Sequence, residues 1–312
     1  MSELPAEFSL IARHFRPLAG EGSLNLTDDA AVFMPPAGRE LVISADAMVQ
    51  GVHFLPDDAA DLVARKLLRT NLSDLAAMGA APLSYLLTVS TPRATPDDWF
   101  AGFAAGLAQD QAEFGITLLG GDTTSTPGPI SLSLTILGTC APGQAIRRST
   151  ALPGDEIWVS GRIGDGALGL LAATGRLADP TGYFADRYRL PRPRMGLAMA
   201  GVVRACMDVS DGLVQDLGHL CRASGVAARI EAALVPRSLP DHLELCLTGG
   251  DDYELLMAVA PAQSAALLVH AAILGIEVTR IGTFGKGPAK VTVTAADGIE
   301  MAFTRSGWSH FD

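Results

Sequence analysis

The sequence predicts an α/β protein of two domains, and three observations lead to that prediction. The chain has 312 residues, which is enough for two domains of ordinary size. Hydrophobic residues make up 48% of it and charged residues 18%, so it can bury a sizeable core. Short apolar runs with the period of a strand alternate with longer runs of helical period in both halves. This alternation is typical of mixed α/β folds.

The first half of the chain carries predicted strands and helices up to a turn at 141–143. Alternating or continuous apolar residues predict the strands, and apolar residues recurring every three or four positions predict the helices. In chain order these are strands at 41–45, 83–90, 116–119 and 130–139, with helices at 62–78 and 99–114. The sequence Ala141-Pro142-Gly143 then favours a turn. We therefore predict an N-terminal domain of residues 1–142.

A second series of elements follows and predicts a C-terminal domain of residues 143–312. In chain order these are strands at 156–160, 205–209 and 254–260, helices at 164–173, 212–223 and 262–274, and short strands towards the end. The helix at 164–173 opens with the glycine pattern of a dinucleotide-binding loop, Gly164-x-Gly166-x-x-Gly169. No acidic residue ending a second strand follows at the expected distance, so tight helix packing is the favoured explanation.

The charge and hydropathy of the chain argue against several classes of partner. The formal net charge is −11, with 23 Lys and Arg against 34 Asp and Glu, which argues against nucleic acid. Mean hydropathy is +0.28, yet the longest near-apolar stretch, 265–278, is too short to span a membrane. The N-terminus lacks the basic region of a signal peptide. Four widely spaced cysteines predict reduced, buried thiols and hence a cytoplasmic protein.

Aspartates recur in six short segments, each beside an apolar run, where we predict turns at the ends of buried elements. The segments are residues 27–32, 44–46, 71–74, 120–124, 208–212 and 249–254. Two carboxylates about 4 Å apart repel by roughly 4 kcal/mol at an effective dielectric near 20, so a cluster needs protons or metal ions. Hard oxygen ligands suit Mg²⁺, which usually accompanies phosphates. Bound Mg²⁺ would also explain how an acidic chain holds a nucleotide.

Each segment also has an ordinary structural explanation. Asp74 lies within an apolar helical run, where it is either a metal ligand or a hydrogen-bonded buried carboxylate. The glycines of 120–124 favour a turn capped by the aspartate. Asp211 or Ser210 fits the N-cap of the next helix, whereas a functional interpretation places the carboxylates on metal and the helix N-terminus on phosphate. The polar groups of 249–254 either cap a strand or bind a ligand. Taken singly, the segments leave these alternatives open.

The order and spacing of the segments are specific when they are taken together. Two further motifs join them, Glu7-Phe8-Ser9-Leu10-Ile11-Ala12-Arg13 and Gln50-Gly51-Val52-His53-Phe54. In this combination the chain resembles the thiamine-monophosphate kinase family, from residue 7 to Phe311. The resemblance implies a fold of two α/β (α+β) domains like those of aminoimidazole ribonucleotide synthetase, to whose superfamily the family belongs. It also implies that the N-terminal domain binds ATP and metal and forms the sheet of a homodimer.

The implied reaction converts ATP and thiamine phosphate into ADP and thiamine diphosphate, with ATP as co-substrate and several Mg²⁺ ions. The resemblance assigns metal binding to Asp29, Ser44, Asp46, Asp74, Asp122, Asp208 and Asp211. It assigns ATP binding to Gly121, Asp122, Arg148 and Ser210, and thiamine-phosphate binding to His53, Asp251 and Trp308.

The chain departs from the usual family pattern at four positions. Thr27 stands where Gly is common, Ala45 where Thr is common, Asp251 where Glu is commoner, and Trp308 where Tyr is also found. None of these departures removes a carboxylate from the implied metal ligands. We therefore expect activity to be retained and substrate affinity to be the property that changes.

The implied chemistry needs no acid–base residue. A phosphate oxygen is already anionic near neutral pH because its second pKa is about 6. What the reaction requires is the alignment and neutralisation of two polyanions. The first cysteine is Cys140 and the chain ends His310-Phe311-Asp312, which disfavours relatives that use a reactive terminal cysteine. Two alternatives stay open, a purine-pathway synthetase of the same superfamily and a non-catalytic nucleotide- or metal-binding protein.

Overall fold

The computed structural model describes residues 6–309 and divides into two compact units. The first unit ends at Gly143 and the second begins at Gln144, while Ala76–Gly79 cluster with the second unit. Phe311, the last residue of the family-like pattern, lies outside the described residues. Among residues 6–309, no helix is both long and apolar enough to cross a membrane.

The first unit is built on a four-stranded sheet. Its elements are α1 (Ala6–Leu10), π and 3₁₀ turns at Ile11–Phe15, Arg16–Leu18 and Leu24–Leu26, β1 (Glu40–Val49), α2 (Ala60–Ala77), β2 (Ala81–Thr91), α3 (Asp97–Phe114), β3 (Thr117–Ser125) and β4 (Ser131–Cys140). The strand order is β1-β4-β2-β3, and β2–β3 is the parallel pair among antiparallel neighbours. Helix α3 makes the long crossover connection that a parallel pair requires.

The two faces of this sheet differ in their surroundings. Leu132, Leu134 and Ile136 of β4 point to the face that carries α2 and α3, and all three are fully buried. Ile43 and Leu86 point to the other face, where they are 60% and 40% exposed. Because strand residues alternate between faces, this second face is open along several strands.

The second unit is built on a six-stranded sheet. Its elements are β5 (Glu156–Ser160), α4 (Asp165–Ala173), α5 (Tyr183–Arg189), β6 (Val203–Val209), α6 (Leu213–Ser224), β7 (Ala227–Glu231), α7 (Leu243–Thr248), β8 (Glu254–Val259), α8 (Ser264–Leu274), β9 (Val278–Gly285) and β10 (Val291–Thr294), with 3₁₀ turns at Ala232–Leu234, Pro240–His242 and Pro261–Gln263. The strand order is β10-β7-β9-β5-β8-β6. β10 and β7 are parallel, and the other pairs are antiparallel.

The sheet of the second unit is buried on both faces. Leu256 and Ala258 of β8 belong to the core that includes α6. Leu255, Met257 and Val259 belong to a separate core that includes α8. Burial on both sides explains why β8 is a continuous apolar run in the sequence instead of an alternating one.

The mixed sheets with their helices confirm the predicted α/β fold class, but three of the predicted turns are wrong. Residues 44–46 lie inside β1, residues 71–74 inside α2, and residues 120–124 inside β3. The glycines of 120–124 favour a turn locally, yet their pairing with β2 keeps this segment extended because tertiary context overrides local propensity. Four of these helices and strands were not predicted, namely α1, α5, β7 and α7.

Candidate active site

In the first unit, β1 and α2 bring one group of predicted ligands together. Ser44 Oγ donates a hydrogen bond to Asp74 Oδ2 at 2.5 Å. The backbone N–H of Asp46 donates to Asn71 Oδ1 at 3.2 Å, and Asn71 Nδ2 donates to the carbonyl of Leu67 at 2.9 Å. Asp46 is exposed and Asp74 is half-buried. The side chains of Ser44 and Asp46 share one side of β1, so their oxygens and those of Asp74 form one group.

Other predicted residues of the first unit line a cleft beside the edge strand β3. Asp29, Gly121 and Asp122 contribute to this cleft, whose volume is about 630 Å³. Its apolar lining includes Phe8, Ile11, Phe15, Leu26, Phe33 and Leu118. Thr27, just before the aspartates, has an ordinary φ of −117°, so its backbone does not need the glycine that is common there.

The strand register separates these two groups within the first unit. Asp46 pairs with Leu134, Leu134 pairs with Leu87, and Leu87 pairs with Gly121. Paired residues share a face and successive residues alternate, so Asp122 points to the face opposite that of Asp46. β1 and β3 are three strand spacings apart, roughly 14 Å. The predicted ligands of this unit therefore form two groups.

His53 is held in one tautomer by the backbone. The N–H of Val49 donates to His53 Nδ1 at 3.0 Å, so Nδ1 is an acceptor and the ring proton lies on Nε2. The buried Lys66 donates through Nζ to the carbonyl of His53 at 2.9 Å, which fixes the turn that carries the ring. His53 therefore presents an N–H donor, which is the polarity that an anionic ligand needs.

In the second unit, the end of β6 and the start of α6 carry the next group. Asp208 is buried and Asp211 is half-buried. Asp216 Oδ2 accepts the backbone N–H groups of Ser210, Asp211 and Gly212, each at 3.1 Å. Gly212 is the N-cap residue of α6, so the predicted cap at Asp211 or Ser210 is wrong. The backbone donors at this helix end are occupied by a carboxylate of the protein itself.

The surroundings of Asp216 are strongly negative. Burial, followed by the charges of Asp208 and Asp211, raises the pKa of Asp216 to about 8. Asp211, Asp216 and His219 also offer ligand atoms that lie within 4.8 Å of one another. Because like charges this close are costly, a cation is the ordinary way to stabilise such a group.

The segment that precedes β8 lies against the same loop. The N–H of Asp251 donates to the carbonyl of Ser210 at 2.9 Å, and the N–H of Tyr253 donates to that of Val209 at 2.8 Å. Asp251 has a φ of 69°, in the left-handed region. Aspartate adopts this conformation more readily than most residues do. The backbone thus favours Asp at a position where the family more often has Glu.

Two buried carboxylates of the same segment have structural partners. Asp252 accepts the N–H groups of Gly164 at 2.7 Å and Gly166 at 2.9 Å. Glu254 accepts from Arg194 Nε at 2.6 Å and is fully buried. A Cβ on Gly166 would collide with the Asp251 carbonyl oxygen. The glycines at the start of α4 therefore serve close packing, and Asp252 occupies the backbone donors that a dinucleotide would need.

The C-terminal segment also reaches the Asp211 loop. The N–H of Trp308 donates to the carbonyl of Asp211 at 2.9 Å, and its carbonyl accepts from Gln215 Nε2 at 2.6 Å. Trp308 as a whole is 53% exposed, and both of these hydrogen bonds are made by its backbone. Arg148 is exposed on this side of the second unit. Burial, and then the positive charges of Arg222 and Arg148, lower the pKa of His219.

Comparison with known proteins identifies the family. The AIR synthase related protein, N-terminal domain matches residues 27–140, and the AIR synthase related protein, C-terminal domain matches residues 153–294. The chain is 46% identical to the thiamine-monophosphate kinase of Caulobacter vibrioides, over 98% of this chain and 91% of that protein. The chain belongs to the thiamine-monophosphate kinase family. It is also 40% identical to the thiamine-monophosphate kinase of Escherichia coli (strain K12), over 98% of both chains.

Solved structures of the thiamine-monophosphate kinase family share this fold. The crystal structure of the enzyme from Stenotrophomonas maltophilia K279a has a TM-score of 0.83 at 40% identity, covering 95% of this chain and 98% of that one. A structure described as AaThiL complexed with AMPPCP and TMP has a TM-score of 0.77 at 27% identity, covering 91% of both. The hydrogenase maturation protein HypE, at 19% identity and a TM-score of 0.79, shares the fold alone.

The residues predicted from the thiamine-monophosphate kinase pattern fit Mg²⁺ by their donor chemistry. They offer carboxylate oxygens and one hydroxyl, which are the ligands that Mg²⁺ prefers. Burial and then the negative charges of Asp208 and Asp211 raise the pKa of Asp216, which marks a local excess of negative charge at this position. These observations favour hard divalent cations over zinc or copper at these positions.

Three residues of this family member were not assigned to the site from sequence. Asn71 lies one turn before Asp74 on α2 and supports Asp46. Gln215 and Asp216 follow Asp211 at helical spacing and contact it. The spacing of three to five residues from a predicted ligand is the signal that points to them, because such neighbours share a helix face or turn.

Proposed function

We propose that this protein transfers the terminal phosphoryl group of ATP to thiamine phosphate and forms ADP and thiamine diphosphate. The observation that carries the proposal is the 46% identity to a thiamine-monophosphate kinase over 98% of the chain. A solved relative is described as a complex with AMPPCP and TMP, so the same pair of ligands is proposed for this chain.

We propose several Mg²⁺ ions as cofactors of this reaction. The proposed ligands are Asp29, Ser44, Asp46, Asp74, Asp122, Asp208 and Asp211. Mg²⁺ supplies neutralisation of the phosphate charges and holds the reacting groups in line. The protein's part is to hold its oxygens in place, as Ser44 does for Asp74 through a bond of 2.5 Å.

For ATP, we propose contacts at Gly121 and Asp122 in the first unit and at Arg148 and Ser210 in the second. The cleft beside Gly121 and Asp122 supports the first of these because it combines apolar walls with oxygen ligands at one side. An apolar cleft of this kind suits a flat base, and the aspartates suit metal-bound phosphates. A side chain at Gly121 would collide with the carbonyl of Leu87, so the close pairing of β3 with β2 at the edge of this cleft requires glycine.

For thiamine phosphate, we propose contacts at His53, Asp251 and Trp308. His53 presents Nε2–H, which suits the phosphate, and the acidic Asp251 suits the positively charged thiazolium of thiamine. The exposed indole of Trp308 offers a flat face for a cationic ring. The acceptor phosphate is itself the nucleophile, so no residue is assigned as a general base.

We also propose that the protein is a cytoplasmic homodimer in which the N-terminal domain, residues 1–142, forms the dimer sheet. The open face of the first sheet supports this, because Leu41, Ile43 and Leu86 are 39%, 60% and 40% exposed on it. All four cysteines are free and buried, which suits a reducing compartment.

A charged side chain introduced on the open face of the first sheet tests whether this face forms the dimer. Ile43→Lys should halve the mass measured by light scattering, because a buried lysine without a partner opposes association. Ile273→Lys is the matched control, since Ile273 is 76% exposed on α8 and should leave the mass unchanged. A dimeric Ile43→Lys variant would argue against this interface.

The activity is tested by an ADP-release assay with a panel of acceptors. We expect ADP to form when ATP, Mg²⁺ and thiamine phosphate are all present, and a reaction without acceptor sets the background. The panel includes the phosphorylated intermediates of purine synthesis. ADP release with one of those, and none with thiamine phosphate, would reject the proposal in favour of a purine-pathway enzyme. Nucleotide binding without any ADP release would favour a non-catalytic protein.

A further inference from the structure

We propose that Gln215 is a positioning residue that couples metal binding at Asp211 to thiamine-phosphate binding at Trp308. The coupling rests on the proposed function, since that function assigns Asp211 to metal and Trp308 to substrate. Gln215 itself belongs to neither set. Its position between the two is what the structure adds.

One amide group contacts both partners. Gln215 Nε2 donates to the backbone carbonyl of Trp308 at 2.6 Å and lies 3.3 Å from Asp211 Oδ2. Gln215 lies in the first turn of α6 and Asp211 just before its N-cap residue Gly212, and the 3.3 Å contact places the two side chains against each other. The contact to Trp308 is the shorter and stronger of the two.

The segment Gly307–Trp308, here called the tail, packs against the loop that carries Asp211 through two more contacts. The N–H of Trp308 donates to the carbonyl of Asp211 at 2.9 Å. Gly307 passes so close that a Cβ there would lie 2.5 Å from Gln215 Cβ and 2.8 Å from the Asp211 carbonyl oxygen. A side chain at residue 307 would therefore push the tail away from the loop. Glycine is required by this approach and not by a positive φ.

The sign of the coupling follows from the shared amide. The amide nitrogen of Gln215 carries two N–H groups, and it contacts both the Asp211 carboxylate and the Trp308 carbonyl. A cation on Asp211 would fix that carboxylate in place, and through it the amide that holds the Trp308 carbonyl. The tail is then held more firmly, and Trp308 is better ordered for its substrate. By linkage, thiamine phosphate must in turn raise the affinity for Mg²⁺ by the same factor.

The first test uses the fluorescence of Trp308 with Mg²⁺ alone. The chain has three tryptophans, so a Trp308→Phe variant identifies the part of the emission that belongs to residue 308. We expect Mg²⁺ to change that part in the wild type and not in Gln215→Met, which keeps the side-chain length but has no N–H donor. An equal change in both would overturn the proposal.

The second test separates the two substrates. Gln215→Met and Gly307→Ala should raise the KM for thiamine phosphate about tenfold, the scale of one lost hydrogen bond to an ordered group. The KM for ATP should stay within about twofold. Gln109→Met, the same substitution at an exposed glutamine of α3, is the matched control. A parallel rise in both KM values, or no change in either, would overturn the proposal.

The two proposals fail in different ways. A wild-type protein that releases no ADP with thiamine phosphate rejects the proposed function. The Mg²⁺-dependent emission of Trp308 still decides the coupling in that case, because it needs neither substrate. An active wild type whose Gln215→Met variant behaves identically rejects the coupling and leaves the function standing.

Discussion

The fully buried carboxylate of Asp252 accepts the backbone N–H of Gly164 at 2.7 Å. Its other oxygen accepts the N–H of Gly166 at 2.9 Å. These bonds hold the start of α4 against the segment that contains Asp251. Asp251 has a φ of 69°, which is unusual for a residue other than glycine. An ordinary structural carboxylate thus sets the position of a proposed substrate residue.

Gly166→Ala should therefore weaken both stability and thiamine-phosphate binding. The added Cβ collides with the Asp251 carbonyl oxygen and lies 2.9 Å from the backbone nitrogen of Asp252. We expect a loss of about 2–3 kcal/mol in the free energy of unfolding by urea denaturation, and a raised KM for thiamine phosphate. Gly285→Ala is the matched control, because nothing lies within 4 Å of its Cβ position. Equal behaviour of the two variants would contradict the prediction.

Asp216 should stabilise the fold by accepting hydrogen bonds and not by carrying a negative charge. Asp216→Ala leaves three backbone donors at the start of α6 without their partner, and we expect it to lower the free energy of unfolding by about 2–4 kcal/mol. Asp216→Asn keeps one acceptor oxygen and should lose less than half as much. Chemical denaturation of both variants measures the difference. If Asn and Ala are equally destabilising, the acceptor role is wrong.

Asp74→Asn and Asp211→Asn should cut turnover strongly while the fold is retained. An amide is a poor Mg²⁺ ligand compared with a carboxylate, and we expect the Mg²⁺ concentration for half-maximal rate to rise by about 10-fold or more. Circular dichroism checks the fold. Asp241→Asn is the control, because Asp241 is exposed and is not a proposed ligand. Wild-type turnover in both ligand variants would remove the argument for metal binding at these positions.

Asp97 should stabilise the first unit above, but not below, its own pKa. His14 Nε2 lies 2.8 Å from Asp97 Oδ1, and Arg13 Nη1 donates to Asp97 Oδ2 at 2.9 Å. The hydrogen bond with His14, and then that from Arg13, lower the pKa of Asp97 below its ordinary value of 3.8. A lowered folded-state pKa means that this contribution is present above 3.8 and is lost as the pH falls through the folded value.

Thermal unfolding over a range of pH tests this prediction. Asp97→Asn should lower the Tm at pH 7, and its difference from the wild type should shrink towards zero as the pH falls below 3.8 and through the lowered pKa of Asp97. Asp98→Asn is the control, because Asp98 is the exposed neighbour in the same helical turn. A Tm difference that stays constant from neutral to acid pH would show that the effect does not come from the charge of Asp97.

The elements that could be predicted are those whose residues carry their own periodicity. The helix predicted at 62–78 is observed at Ala60–Ala77, and the strand predicted at 156–160 is observed at Glu156–Ser160. Helix α5 was not predicted, because its sequence Tyr183–Arg189 is short and dominated by polar and aromatic residues. Short elements of this kind depend on what they pack against, here α4.

The residues of the candidate site were predicted from the order of motifs, and their arrangement was not. Motif order and spacing determine the family because they are linear properties of the chain. The opposite orientation of Asp46 and Asp122 depends on the register of four strands, which no single segment encodes.

The sequence by itself determined the family, the α/β class and the identities of the proposed ligands. Only the tertiary structure decided that residues 120–124 are a strand, that Asp216 occupies the backbone donors of the Asp211 loop, and that Gln215 joins this loop to the tail. The physical reason is that each of these depends on hydrogen bonds between groups placed by folding. The contact of Gln215 with Trp308 spans 93 positions of the chain, beyond the reach of any local pattern.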